Sequence, residues 1–309
     1  MKDILVFLSL FLLVVTGFSL SLTQFNVKEF KGQYPLISLS RLLETDEFVS
    51  VEGVVYRISA SKKFLTTDEV DPELLSESNL VGVLAMDIDE LGTFTGKGKQ
   101  ALVAASGIVY DVTSSRHWPA GNHKNRHQAG EELTHELMIN SPHGAGKIAN
   151  VKPFGVLVFT PDQLSRFNGK NRAKSYIAFR GVVYDLSHLR SVPNYPFGTE
   201  ATAELLKMPS YADTLSKSYA IGLLVFDEKA LAKFDGQQNA KAFIKVGNIV
   251  YDVTDIPDWR EKLHLESDAV AGKDYTSQFE CELEETCSHD HPESDVLKQF
   301  NIVGFEVLR

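Results

Sequence analysis

One short phrase is written three times in this chain, and it limits the fold to repeated use of one small unit. It reads Gly107-Ile108-Val109-Tyr110-Asp111-Val112-Thr113, then Gly181-Val182-Val183-Tyr184-Asp185-Leu186-Ser187, then Asn248-Ile249-Val250-Tyr251-Asp252-Val253-Thr254. A fainter copy is Gly53-Val54-Val55-Tyr56-Arg57-Ile58-Ser59. Self-similarity on this scale marks one supersecondary unit used several times. The tyrosines Tyr56, Tyr110, Tyr184 and Tyr251 are 54, 74 and 67 residues apart. Units of that size are marginally stable alone, so neighbours are expected to lean on one another.

The residues before each phrase keep one order: a short helix, a turn, a strand, and then the phrase strand. Thr160-Pro161-Asp162 reads as a helix start, with a hydroxyl N-cap and proline in the first helical position. The helix is expected to end at Asn168-Gly169, and the two strands to form an antiparallel hairpin turning at Arg180-Gly181. Each unit closes on a short apolar strand containing glycine: Leu80–Leu84, Phe154–Phe159, Ile221–Phe226 and Ile302–Val307. All but the last run straight into the next unit. The expected division is 1–22, 23–86, 87–156, 157–224 and 225–309, arranged as a compact row.

Charge and cysteine content narrow the function. The net charge of −10 argues against nucleic acid, which needs clustered Lys and Arg, and suits a basic protein partner. Ile4 to Val15 is almost wholly apolar, and Gly17-Phe18-Ser19-Leu20-Ser21 has small residues at alternate positions. Residues 4–22 are therefore expected to form an export signal or a membrane tether, placing the protein in the periplasm or another extracytoplasmic space. Cys281 and Cys287 are the two cysteines, able to close a small disulfide loop in an oxidising compartment.

The Leu-x-x-Phe-x-Gly-Lys opening (Leu91 to Lys97), the Val-Tyr-Asp-Val-Thr strand and the stretch from Trp118 to Gly144 resemble the cytochrome b5-like heme/steroid-binding domain family. The likeness is fullest over residues 87 to about 157, holds in outline over 157–224 and 225–309, and is a truncated echo over 35–86. It implies an α+β fold of tandem domains, each a small mixed sheet flooring a pocket walled by helix pairs, with one heme b in the best-matched unit. Five of the nine histidines, His117, His123, His127, His135 and His143, fall in that unit.

A six-coordinate heme needs two neutral imidazoles from opposite sides of the ring. His143 follows an expected helix over Gln128–Ile139 and is read as one axial ligand. His123, then His127, then His117 are ranked as the other, so that the iron is held by His143 and His123. The family's His-Pro-Gly-Gly loop is absent here. His135 is read as a solvated mid-helix residue. His123 and His127, four apart, also fit a divalent metal on one helix face, ranked below heme.

The remaining units have fewer ligands. The 157–224 unit has only His188 and is read as structural, as is 23–86, which has no histidine. In 225–309, Trp259 matches Trp118, and Ala271–Thr276 matches Ala129–Thr134. His264, with His291 or His289, leaves a second heme open there. No catalytic motif is found. The chain is thus read as an electron carrier rather than an enzyme, with a redox partner protein. The alternative is a non-heme scaffold for a protein partner or an apolar ligand.

Overall fold

The computed structural model describes residues 20–140, 148, 150–189, 194–256, 259, 270–280 and 297–309. Sixteen strands lie among them. The first group is β1 (Leu36–Ser38), β2 (Phe48–Val51), β3 (Val54–Arg57), β4 (Phe64–Leu65) and β5 (Leu80–Asp87). Next come β6 (Leu102–Ala105), β7 (Ile108–Asp111), β8 (Asn122–His123), β9 (His127–Gln128) and β10 (Pro153–Phe159). The last are β11 (Tyr176–Phe179), β12 (Val182–Asp185), β13 (Tyr219–Phe226), β14 (Phe243–Val246), β15 (Ile249–Asp252) and β16 (Asn301–Leu308).

The expected α+β domains with helix-walled pockets are not what forms. Strands β1, β5, β10, β13 and β16 pair in parallel, each with the next, and β16 returns to β1. The result is a closed parallel barrel. Its wall carries four antiparallel hairpins, β2–β3, β6–β7, β11–β12 and β14–β15, each attached to the ring strand that follows it. The described helices are short, six residues at most.

The two halves of each ring strand explain the correction. The first half of β10 pairs with β7 through Pro153 to Val156, and its second half pairs with β13 through Val158 and Phe159. β5 behaves alike, with β3 along Leu80–Val83 and β10 along Ala85–Asp87. A strand read from sequence as the edge of its own small sheet therefore leaves that sheet halfway and joins its counterparts. Such strands have no water-facing side, which is why they are apolar without alternation. All seven residues of β10 are buried. The glycine marks the crossover. A Cβ on Gly155 would stand 2.7 Å from Leu84 O, and one on Gly222 the same distance from Leu157 O, both on the preceding ring strand. Only a residue without a side chain admits that approach.

Around the ring the pairs run Leu36–Val83, Ala85–Val156, Val158–Leu223 and Val225–Phe305. Each strand steps by two residues, so the same face stays inward. The hairpins follow the sequence reading. Their turns Glu52-Gly53, Ser106-Gly107 and Arg180-Gly181 have positive φ at both residues, matching the twist of tight hairpins. Thr160 caps its helix as expected, accepting from Gln163 N at 3.3 Å while Gln163 Oε1 accepts from Thr160 N at 3.0 Å. That helix stops at Leu164, however, and Gly169 serves a later turn.

Among the described residues no helix is long and apolar enough to cross a membrane. The expected leader lies outside the described residues up to residue 19. Leu22, counted with it, is buried in the core with Val27 and Phe30. Phe30 packs edge-on against Phe305 of β16, with ring centroids 4.7 Å apart. Cys281 and Cys287 lie outside the described residues.

Candidate functional site

Among the described residues, the second hairpin alone carries a two-stranded excursion, the β8–β9 ribbon. Pro119 opens a single tight turn with Ala120 and Gly121 at positive φ, and the chain then doubles back at Lys124 and Asn125, also at positive φ. Gln128 Nε2 holds the fold of this excursion by donating to Thr95 O at 2.7 Å and Gly121 O at 2.9 Å. His123 and His127 are direct cross-strand partners. Such partners project from the same face of a ribbon. Their rings stack with centroids 6.0 Å apart, and Trp118 stacks on His123 at 4.9 Å and 19°.

Burial holds the His123 imidazole below its usual range, and the positive charges of His127, Lys124 and His117 add to the effect. At neutral pH His123 is unprotonated and has a lone pair to offer. His117 is exposed and accepts from Arg116 Nε at 3.3 Å. Beneath the ribbon lies an aliphatic floor of Ala101, Val103, Val112, Ala129 and Leu133, flanked by half-buried Tyr110 and Trp118. Burial raises the Tyr110 hydroxyl, so it stays protonated. Met138 and Ile139 are exposed at 41% and 52% on the π-helical turn Glu136–Asn140.

Three sequence readings change here. His123 and His127 share a ribbon, not a helix face, and among the described residues no three His, Cys, Asp or Glu are arranged to hold a metal ion. The expected helix over Gln128–Ile139 is replaced by an extended start, in which Glu132 bridges to Ala104, and the π-helical turn. His135 is half-buried rather than solvated, with its ring 5.5 Å from His188 and 6.3 Å from Tyr219. His143, His264, His289 and His291 lie outside the described residues. Two side-by-side imidazoles on one ribbon face cannot flank a flat macrocycle, so His123 and His127 are not ligands to one iron from opposite sides. A flat apolar group bearing an iron would still meet an unprotonated imidazole, an indole and an aliphatic floor, which are the donor and surface it requires.

A second constellation escaped the sequence reading. Glu132, Glu200 and Asp274 each accept from the backbone N of a threonine two residues on, at 2.8, 2.8 and 2.9 Å. The threonine hydroxyl then accepts from the hairpin turn: Ser106 N at 2.7 Å, Arg180 N at 2.8 Å and Gly247 N at 2.8 Å. A lysine further along the chain reaches back to the first two acids. Lys241 meets Glu200 at 3.0 Å, but Lys174 stays 4.0 Å from Glu132. Burial raises Glu132 to about 7, and its Oε2 has no hydrogen-bond partner among the described residues. The acid-x-Thr spacing was the available signal, hidden because the partners are 28 and 22 residues away.

A closed parallel barrel carrying four hairpins, one of them topped by a tryptophan–histidine stack, is the class that the fold and the site define. No family model matches the chain, and no curated protein is significantly similar to it. Two solved structures are similar over part of it. A Hadesarchaea cytochrome b5 domain protein is 40% identical, with 24% of this chain and 96% of that one covered and a TM-score of 0.23. A Methanococcoides burtonii cytochrome b5 domain protein is 32% identical, with 24% and 95% covered and the same TM-score of 0.23. About a quarter of the chain is thus similar to cytochrome b5 domain proteins over nearly their whole length, and the rest lies outside the likeness.

Proposed function

We propose that residues 87–157 bind a heme b against the Tyr110–Trp118–Leu133 face, and that the protein carries electrons to a redox partner outside the cytoplasm. The reading includes the four hairpin regions as divergent copies of one cytochrome b5-like unit, of which this one keeps its ligand. The observation that carries it is the Trp118 stack on His123, beside a buried aliphatic cluster, with burial holding the imidazole below its usual range. Heme held by two imidazoles supplies one-electron chemistry. The chain's own residues supply the rest. Trp118 sets the His123 ring plane, Gln128 pins the ribbon, and the barrel gives it a stiff base. His143 is taken as the ligand from the opposite side, since His127 shares a ribbon face with His123.

For the third and fourth regions the scaffold reading is favoured, because their own side chains pack into buried clusters there: Tyr195, Leu205 and Leu215 in the third, and Trp259, Tyr275 and Phe279 in the fourth. The test is a hemin titration of the full chain, followed by absorbance in both oxidation states. One equivalent giving a sharp Soret band, with split visible bands on reduction, is expected. His123→Ala and His143→Ala should each abolish the low-spin spectrum. A chain that takes up no hemin saturably would overturn the reading.

A further inference from the structure

The open end of the second hairpin is basic in an acidic protein. Between Phe94 and Gln128 stand Lys97, Lys99, Arg116, Lys124 and Arg126 and one acid, Asp111, whereas the whole chain carries −10. Asp111 is already engaged, accepting from Thr113 N at 2.8 Å and from Gln100 Nε2 at 3.1 Å. All five cations are exposed. Among the described residues none of them is in an ion pair. A set of exposed cations of one sign favours an anionic ligand over a neutral or cationic one.

The cations come from separate stretches that pack as one body. Gln128 ties the Thr95 loop to the Gly121 loop, and a Cβ on Gly96 would stand 2.6 Å from Gly121 N. Lys97 flanks that contact at the loop tip. Lys124 and Arg126 sit in the β8–β9 turn, close enough for the Lys124 charge to act on His123. Arg116 touches His117. The site therefore has an aliphatic floor, an imidazole at its centre and cations at its rim. Apolar sites fix a ligand's orientation with a few charged groups at the edge, and Lys or Arg against carboxylate is the strong form of that contact.

We infer that Lys97, Lys124 and Arg126, with Arg116, select a flat apolar ligand whose edge carries carboxylates, and set which edge faces out. The inference rests on the heme reading and names what it requires of the ligand: for heme, the two propionates. The test compares hemin with its dimethyl ester, which keeps the macrocycle and loses both charges. Titrations use the full chain at about 50 and 500 mM salt, the range over which exposed charge contacts are screened. The same titrations are run on the exposed double variant Lys124→Ala/Arg126→Ala, its fold checked by circular dichroism. Hemin should bind about tenfold less tightly to the variant, and less tightly at high salt. The ester should bind more weakly than hemin and respond to neither change. Equal affinity of hemin and ester, unmoved by salt or substitution, would overturn the rim's role and leave the heme reading standing. If neither ligand is taken up, both fall together.

Discussion

Trp118 and Trp259 follow the same strand at the same place, yet Trp259 is 2% exposed and Trp118 is half-buried. The residues after them account for the difference. In the fourth region Tyr275 meets Trp259 edge-on at 4.8 Å, and Phe279 joins the same cluster. The positions matching Tyr275 and Phe279 in the second region are Leu133 and Leu137, smaller side chains that leave the indole free to stack on His123. One architecture thus makes the tryptophan a solid wedge in the fourth region and an open face in the second.

The acid-x-Thr contacts differ in the same direction. At the junction of the third and fourth regions, Lys241 pairs with Glu200 and with Glu204, each at 3.0 Å. Burial works against the Lys241 charge, but the two carboxylates outweigh it and hold the lysine above its usual range. At the junction of the second and third regions the lysine falls short, and Glu132 is left to burial. The region read as ligand-binding is therefore the less tightly closed of the two at both places.

The largest effect that tests this contrast is truncation of the two tryptophans. Trp259→Ala should cost about 3–5 kcal/mol in urea unfolding, the range for emptying an aromatic site in a core. Trp118→Ala, partly solvated, should cost only about 1–2 kcal/mol for the area it loses. Equal losses would erase the distinction between wedge and open face. Next come the lysines. Lys241→Met leaves Glu200 buried without its partner and should cost about 3 kcal/mol, whereas Lys174→Met should stay within about 0.5 kcal/mol.

Glu132 sharpens the second contrast through pH. Its folded value, raised by burial from 4.5 to about 7, exceeds its unfolded one. Between those values the folded protein keeps a proton that the unfolded chain has released. Its contribution is thus complete below pH 4.5 and is lost as pH rises through 7, by on the order of 3 kcal/mol. Glu132→Gln should flatten that part of the stability curve, as followed by chemical denaturation from pH 4 to 8. A variant with the wild-type slope would show that another group titrates there. The last expected effect is on binding. Leu133→Tyr copies the fourth region's fill into the second and should weaken hemin uptake at least tenfold, about 1.4 kcal/mol, without loss of fold.

Much of the local structure was legible because it depends on neighbours in the chain. The Val-Tyr-Asp strands, the X-Gly hairpin turns and the Thr160-Pro161 helix start all formed where the residues called for them. The clustering of His117, His123 and His127 was legible too, but their geometry was not. A four-residue spacing fits a helix face as well as a ribbon pair, and here Lys124 and Asn125, with φ of 54° and 55°, turn the chain into a ribbon. The junction of His135, His188 and Tyr219 left no local trace, since its members are far apart in the chain and meet only through packing.

By itself the amino-acid sequence determined that this protein is built from repeated hairpins, each followed by an apolar strand with a glycine in it. Hydrogen bonding within a hairpin and φ preferences at a turn need nothing beyond a few adjacent residues. Only the tertiary structure decided that those strands close on one another as a parallel barrel. An apolar strand must bury both faces and satisfy both edges, and several arrangements of four such strands do so equally well on paper. The choice fell to long-range parallel pairing, with β1 completing the ring and the glycines allowing each strand to pass close over the one before.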